Sequence, residues 1–164
     1  MERAEIAAHI PRLRRYARAL AGDSYRADDL VQDTLERALA KFYLWRHGSD
    51  LRAWLFTIMH NVFINQLKVR RELALDDAVQ EGLQSAPQSD PLELRDLDAA
   101  LRQLPMEQRE VLLLVGLEQL SYAEVSKTLG IPVGTVMSRL SRGRERLRAV
   151  MSGSATLTNL KVVK

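Results

Sequence analysis

The sequence predicts an all-α fold, and three observations carry the prediction. Apolar residues recur at three- and four-residue intervals through most of the chain, no segment alternates apolar and polar residues as a half-buried strand would, and the longest lapse of the pattern is a polar, acidic stretch near the middle. At 164 residues and 46% hydrophobic composition, the chain can bury the core of one ordinary domain or of two small ones.

The first helix is predicted from about Pro11 to Leu20, with Leu13, Tyr16, Ala17 and Leu20 on one face and Arg12, Arg15 and Arg18 largely off it. Gly22 and Asp23 close it. A second helix starts near Ser24 and sets Ala27, Leu30, Val31, Thr34, Leu35, Ala38, Leu39 and Phe42 at helical spacing, with Asp29, Gln32, Asp33 and Glu36 on the opposite face. A loop from about Leu44 to Asp50 leads to a third helix, Leu51 to about Arg71, apolar around much of its girth. Between Glu72 and Asp96 the pattern decays into polar, acidic sequence with Gly82, Pro87 and Pro91, read as a linker with a short helical turn around Leu75 to Val79. Leu94, Leu97, Leu101 and Leu104 then mark a helix that stops before Pro105, and Val111, Leu112, Leu114 and Val115 mark the next. Residues 153–164 show no usable period and read as a frayed tail.

The most informative segment is Leu120 to Arg148. Ser121 and Glu124 form a capping box, in which each side chain satisfies the other's free backbone amide, so a helix has a definite start there. Gly130 can take the positive φ of a helix stop, and Ile131-Pro132 blocks simple continuation before a new helical pattern begins near Val133. Val136, Leu140 and Leu147 follow one face of this last helix, and Thr135, Ser138, Arg139, Arg142 and Arg146 follow another, with Met137 and Ser141 beside them. A short capped helix, a glycine turn and a one-sided basic helix are the signature of a helix-turn-helix that enters a DNA major groove. The plainer reading is a helical hairpin with solvated arginines. Arginine at such positions contacts phosphates or pairs bidentately with guanine, and Ser and Thr serve either backbone or base edges.

The formal charge is +3, but its distribution says more. Residues 1–72 hold 13 Lys/Arg against 9 Asp/Glu, residues 73–96 hold 1 against 6, and residues 97–164 hold 10 against 6. Two basic blocks flanking an acidic connector suit two contacts with one polyanion. The chain has no cysteine, which excludes a disulfide framework, a thiolate nucleophile and a sulfur metal site, and fits a reducing cytosol. His9, His47 and His60 lack metal-ligand spacing, so no metal is expected. The N-terminus has no apolar run of signal-peptide length and no stretch is long enough to span a membrane, giving a soluble, cytoplasmic expectation. With no Gly-rich phosphate loop after a strand, no Ser-His-Asp set and no paired catalytic carboxylates, neither an enzyme nor a cofactor is expected.

The segments DDLVQDTLERALAKF, LRAWLFTIMHNVFINQLKVRRE and LPMEQREVLLLVGLEQLSYAEVSKTLGIPVGTVMSRLSRGRERL resemble, in order, a bacterial RNA polymerase sigma factor of the extracytoplasmic-function (ECF) family. The resemblance spans about Ile10 to Met151. It implies two small helical domains joined by a flexible linker: sigma domain 2 at 1–72, an acidic linker at 73–92, sigma domain 4 with the helix-turn-helix at 93–152, and the tail at 153–164. It further implies that domain 2 opens and reads the minus-ten promoter element, that domain 4 reads the minus-thirty-five element, and that both dock on core RNA polymerase. A linker of about 20 residues extends to roughly 65 Å, which with two domains bridges duplex faces two helical turns apart.

Carried onto this chain, the acidic stripe Asp29, Gln32, Asp33 and Glu36 falls where the family binds the clamp helices of the polymerase β′ subunit. Read without the resemblance, it is a solvated face. The loop Trp45 to Asp50, with Arg46, and the polar positions His60, Asn61, Asn65, Lys68 and Arg71 fall where the family captures unstacked bases of the minus-ten strand. Trp54 belongs with the apolar face, whereas Trp45 either packs under the loop or stacks on a base. Thr135, Met137, Ser138, Arg139, Ser141, Arg142 and Arg146 fall on the minus-thirty-five reader. Family members often carry Lys or Arg where Met137 stands and Asp where Asn65 stands, so the promoter preference is open. The resemblance also implies an anti-sigma partner. Two rival readings are a sigma-like decoy that binds only an anti-sigma protein, and a stand-alone helix-turn-helix regulator of duplex DNA. The first has no need of the arginine stripe; the second leaves the acidic stripe unexplained.

Overall fold

The computed structural model describes residues 2–77 and 92–163, with residues 2, 75–77, 92–95 and 153–163 described by backbone alone. Among the described residues there is no strand, and the chain divides into two compact units, one built on the N-terminal helices and one on the C-terminal helices.

The first unit contains α1 (Glu2–Ala7), α2 (Ile10–Ala21), α3 (Ser24–Ala40), a 3₁₀ turn (Phe42–Leu44) and α4 (Leu51–Asp77). Pro11 lies in the first turn of α2, where its missing N–H costs nothing. Gly22, at φ 78°, ends that helix and donates its N–H to the Arg18 carbonyl at 2.9 Å. Asp23 starts α3 by accepting the Tyr25 N–H at 3.1 Å, and Asp50 starts α4 by accepting from Arg52 N–H at 3.0 Å. α3 packs against both α2 and α4. The core holds Leu13, Tyr16, Leu20, Leu30, Leu55, Phe56 and Met59, with the Tyr16 and Phe56 rings edge-on at 5.0 Å. Burying an aliphatic or aromatic side chain of this size contributes roughly 1.5–3 kcal/mol relative to exposure. The one buried polar side chain on α3, Thr34, donates to the Leu30 carbonyl at 2.7 Å.

The second unit contains α5 (Leu92–Arg102), α6 (Met106–Leu112), a π-helical turn (Leu113–Leu117), α7 (Tyr122–Leu129) as far as Ser126, and α8 (Val133–Val163). The Arg109 guanidinium reaches back to the carbonyls of Arg102 and Leu104, at 3.2 and 3.0 Å, and fixes the bend between α5 and α6. Burial and the nearby Arg102 lower the Arg109 pKa, with Asp98 opposing them. Two residues past the π-helical turn, Gln119 adopts the left-handed region at φ 57° without being glycine. α6 packs against α8, where Gly143 permits close approach: a Cβ there would lie 3.1 Å from Leu112 Cδ1.

The structure departs from the sequence reading at several element ends. Helix α1 precedes the expected first helix, and Leu39, expected on the apolar face of α3, is exposed. α4 continues six residues beyond Arg71, because Glu72, Leu73, Ala74 and Leu75 are good helix formers even where the apolar period fades. Of the linker expected at 73–92, residues 78–91 lie outside the described residues, as does the end of the turn expected at Leu75 to Val79. The expected frayed tail at 153–164 is instead helical backbone through Val163, since propagating a formed helix is far easier than nucleating one and no proline interrupts it.

Candidate nucleic-acid and docking faces

Burial of Leu30, Val31, Thr34 and Ala38 forces the opposite face of α3 outward, leaving Asp29, Gln32 and Glu36 exposed and Asp33 half-buried. Gln32 Nε2 lies 3.5 Å from Glu36 Oε1 one turn along the helix. The two aspartates are also engaged across helices: Gln66 of α4 donates through Nε2 to Asp33 Oδ2 at 2.8 Å and to Asp29 Oδ2 at 3.2 Å. Sequence reasoning missed Gln66. Its signal is a polar residue on an apolar azimuth, four positions after Val62 and seven after Met59, both buried.

The loop before α4 is built on an aromatic row. Phe42 is buried and meets Trp54 edge-on at 6.2 Å, Trp45 lies 5.3 Å from Phe42, and His47 lies 4.8 Å from Trp45 at a 40° tilt. Arg46 to Ser49 form a tight turn in which the Ser49 N–H donates to the Arg46 carbonyl at 3.1 Å. Gly48 takes φ 96° at the position where such a turn requires a residue without Cβ. Trp45 therefore packs under the loop, half-buried with its indole Nε1 enclosed, while the exposed end of the row is His47. Trp54 is half-buried rather than central to the core.

On α4, at roughly 100° per residue, Asn61, Asn65 and Lys68 fall within about 60° of one another. All three are exposed. His60 and Arg71 lie roughly 60–140° around the helix from them, not on the same line. His60 is half-buried because it stands four residues from Phe56 and three from Phe63, both buried, whereas Arg71 is exposed. Near the start of the first unit, burial lowers the His9 pKa from its ordinary value of 6.5, Arg12 and Arg52 lower it further, and Asp50 opposes them.

The helix-turn-helix has the local geometry its residues dictate. Ser121 N–H donates to Glu124 Oε1 at 2.8 Å, and Glu124 N–H donates to Ser121 Oγ at 3.1 Å. Gly130 turns the chain at φ 67°, and the Ile131 N–H returns to the Ser126 carbonyl at 3.1 Å. Val136, Leu140 and Gly143 seat α8 on the unit, and Ser141 and Arg142 stand opposite them, exposed. Arg146 is also exposed, Met137 is 51% exposed, and Thr135 and Ser138 are half-buried. Arg139 sits on the shoulder of the stripe, half-buried, with Nη2 3.9 Å from Glu107 Oε2 of α6. Two further exposed arginines, Arg144 and Arg148, were missed by a reading confined to one stripe.

Comparison with known proteins agrees with this division. Residues 6–60 match the Sigma2 domain of PhyR, and residues 94–147 match Sigma-70, region 4. The chain is similar to the ECF RNA polymerase sigma factor EcfG of Rhodopseudomonas palustris (strain TIE-1), 43% identical over 152 residues, covering 91% of this chain and 84% of that one. Among solved structures, it is similar to the sigma factor RpoE of Bartonella quintana in complex with the anti-sigma factor NepR, with a TM-score of 0.82 and 36% identity over 92% of this chain and 96% of that one. It is also similar to CnrH in complex with the cytosolic domain of CnrY, with a TM-score of 0.68 and 27% identity over 92% of this chain and 86% of that one. With two sigma modules matched in order and 43% identity across nine-tenths of its length, the protein belongs to the ECF family of RNA polymerase sigma factors.

Proposed function

We propose that the protein recruits core RNA polymerase to one class of promoter, opens the duplex there, and is held in check by an anti-sigma protein. The polymerase performs the phosphoryl transfer, and this chain contributes promoter choice and strand separation in the cytoplasm. The observation that carries the reading is the build of α8: an apolar face of Val136 and Leu140 lies behind exposed Ser141, Arg142 and Arg146, at the end of a capped helix and glycine turn. Such a helix suits a major groove. Met137, Ser138 and Ser141 face base edges, while Thr135, Arg139, Arg142 and Arg146 bind phosphates or guanine. The 3.9 Å pair between Arg139 and the exposed Glu107 is weak enough to open when a phosphate competes.

In the first unit, a transiently exposed base of the minus-ten strand is trapped as base-flipping enzymes trap theirs, without chemistry on the base. Trp45 supports the loop, His47 offers the exposed ring, Arg46 flanks it, Asn61 and Asn65 donate amide hydrogen bonds, and Lys68 and Arg71 hold phosphates, with His60 at the margin. The acidic stripe Asp29, Gln32, Asp33 and Glu36 is the docking face for a basic surface of core polymerase. Control by an anti-sigma protein is supported by the related RpoE, solved with the anti-sigma factor NepR.

The docking assignment is tested by titrating core polymerase with the wild type and with the Asp29→Lys/Asp33→Lys variant. The variant is expected to bind at least about tenfold more weakly, as for like charges set against each other in an interface. Equal affinity would remove the assignment.

A further inference from the structure

We propose that Gln66 is a positioning residue that pre-sets the two docking carboxylates of α3; the proposal rests on the docking reading given above. One nitrogen, Gln66 Nε2, carries two N–H groups, and the structure places one carboxylate oxygen within reach of each: Asp33 Oδ2 at 2.8 Å and Asp29 Oδ2 at 3.2 Å. Aspartates one helical turn apart repel each other and, left alone, turn their side chains apart. The shared amide holds both Oδ2 atoms against α4, and each Oδ1 takes no part in the clip. It adds no positive charge, so the attraction for a basic surface is undiminished. A lysine at this position would neutralise what Gln66 only orients.

The arrangement fits a partner that presents two Arg or Lys side chains about one helical turn, roughly 5.4 Å, apart. Because the carboxylates are ordered before the partner arrives, binding does not have to order them. The clip also joins α3, which carries the docking face, to α4, which carries Asn61, Asn65 and Lys68 on another side.

The test is a double-mutant cycle read as affinity for core polymerase, using the full chain. Gln66→Met keeps length and helix propensity but removes the donor. It is expected to weaken binding about tenfold in the wild-type background, and by less than about twofold when Asp29→Asn and Asp33→Asn are already present. Binding to duplex minus-thirty-five DNA is expected to be unchanged, which a general loss of folding would not allow. Should Gln66→Met unfold the chain, Gln66→Asn carries the same cycle, since it keeps the amide but is too short to span both carboxylates. Equal weakening in both backgrounds, or none in the wild type, overturns the positioning role alone. If Asp29→Asn/Asp33→Asn itself leaves affinity unchanged, the docking reading falls and this inference with it.

Discussion

His9 stands just before α2, where the helix N-terminus and the guanidinium groups of Arg12 and Arg52 all disfavour an imidazolium. Burial is the largest cause of its lowered pKa, and Asp50 opposes the shift only in part. Because the folded pKa lies below the ordinary value of 6.5, the unfolded chain binds more protons near and below that pH. The stability linked to His9 is therefore complete above pH 6.5 and is lost as pH falls from there through the folded pKa. Thermal unfolding from pH 7.5 to pH 5 is expected to show a declining midpoint whose slope is reduced by His9→Gln; an unchanged slope would exclude His9 as the cause. Legibility at this scale followed sequence distance. The Ser121–Glu124 box could be read directly because both partners sit within one turn, and its two bonds form as expected. The Gln66 clip joins residues 33 and 37 positions apart, which no local pattern encodes. Sequence alone does not separate packing from stacking for Trp45, because an aromatic residue in a loop serves either role; the structure sets its ring 5.3 Å from that of Phe42.

The last helix joins readable and unreadable features. Its start was legible from Gly130 and Pro132, and its buried seam from Val136 and Leu140. Gly143 was not, because a glycine inside a run of arginines looks like part of a solvated surface until α6 is seen to approach it. The far ends of α4 and α8 were also misread, since helix propensity continues where apolar periodicity stops. Arg142 and Arg146 stand exposed on the same stripe, so each is expected to displace about one counterion from duplex DNA. A plot of log affinity for minus-thirty-five duplex against log salt is expected to lose about 0.9 of slope per arginine on Arg142→Ala and Arg146→Ala. Parallel lines for wild type and variants would show that these side chains touch no phosphate.

For the whole molecule, the sequence showed the helical class and the alternation of basic, acidic and basic blocks, and the matches at residues 6–60 and 94–147 fall on the two basic ones. Composition alone does not tell whether the acidic stripe of α3 is a docking face or a solvated one, because a carboxylate stripe over an apolar one has the same pattern in either case. The docking reading rests on the family resemblance. On the proposed function, one chain both recruits polymerase and opens a chosen promoter. Reconstitution of the full chain with core polymerase on a promoter library, scoring transcripts together with permanganate reactivity of minus-ten thymines, tests it most directly. Sequence-selective transcripts and reactive thymines are expected, both lost with Asp29→Lys/Asp33→Lys. Duplex binding with neither signal above core polymerase alone would contradict it.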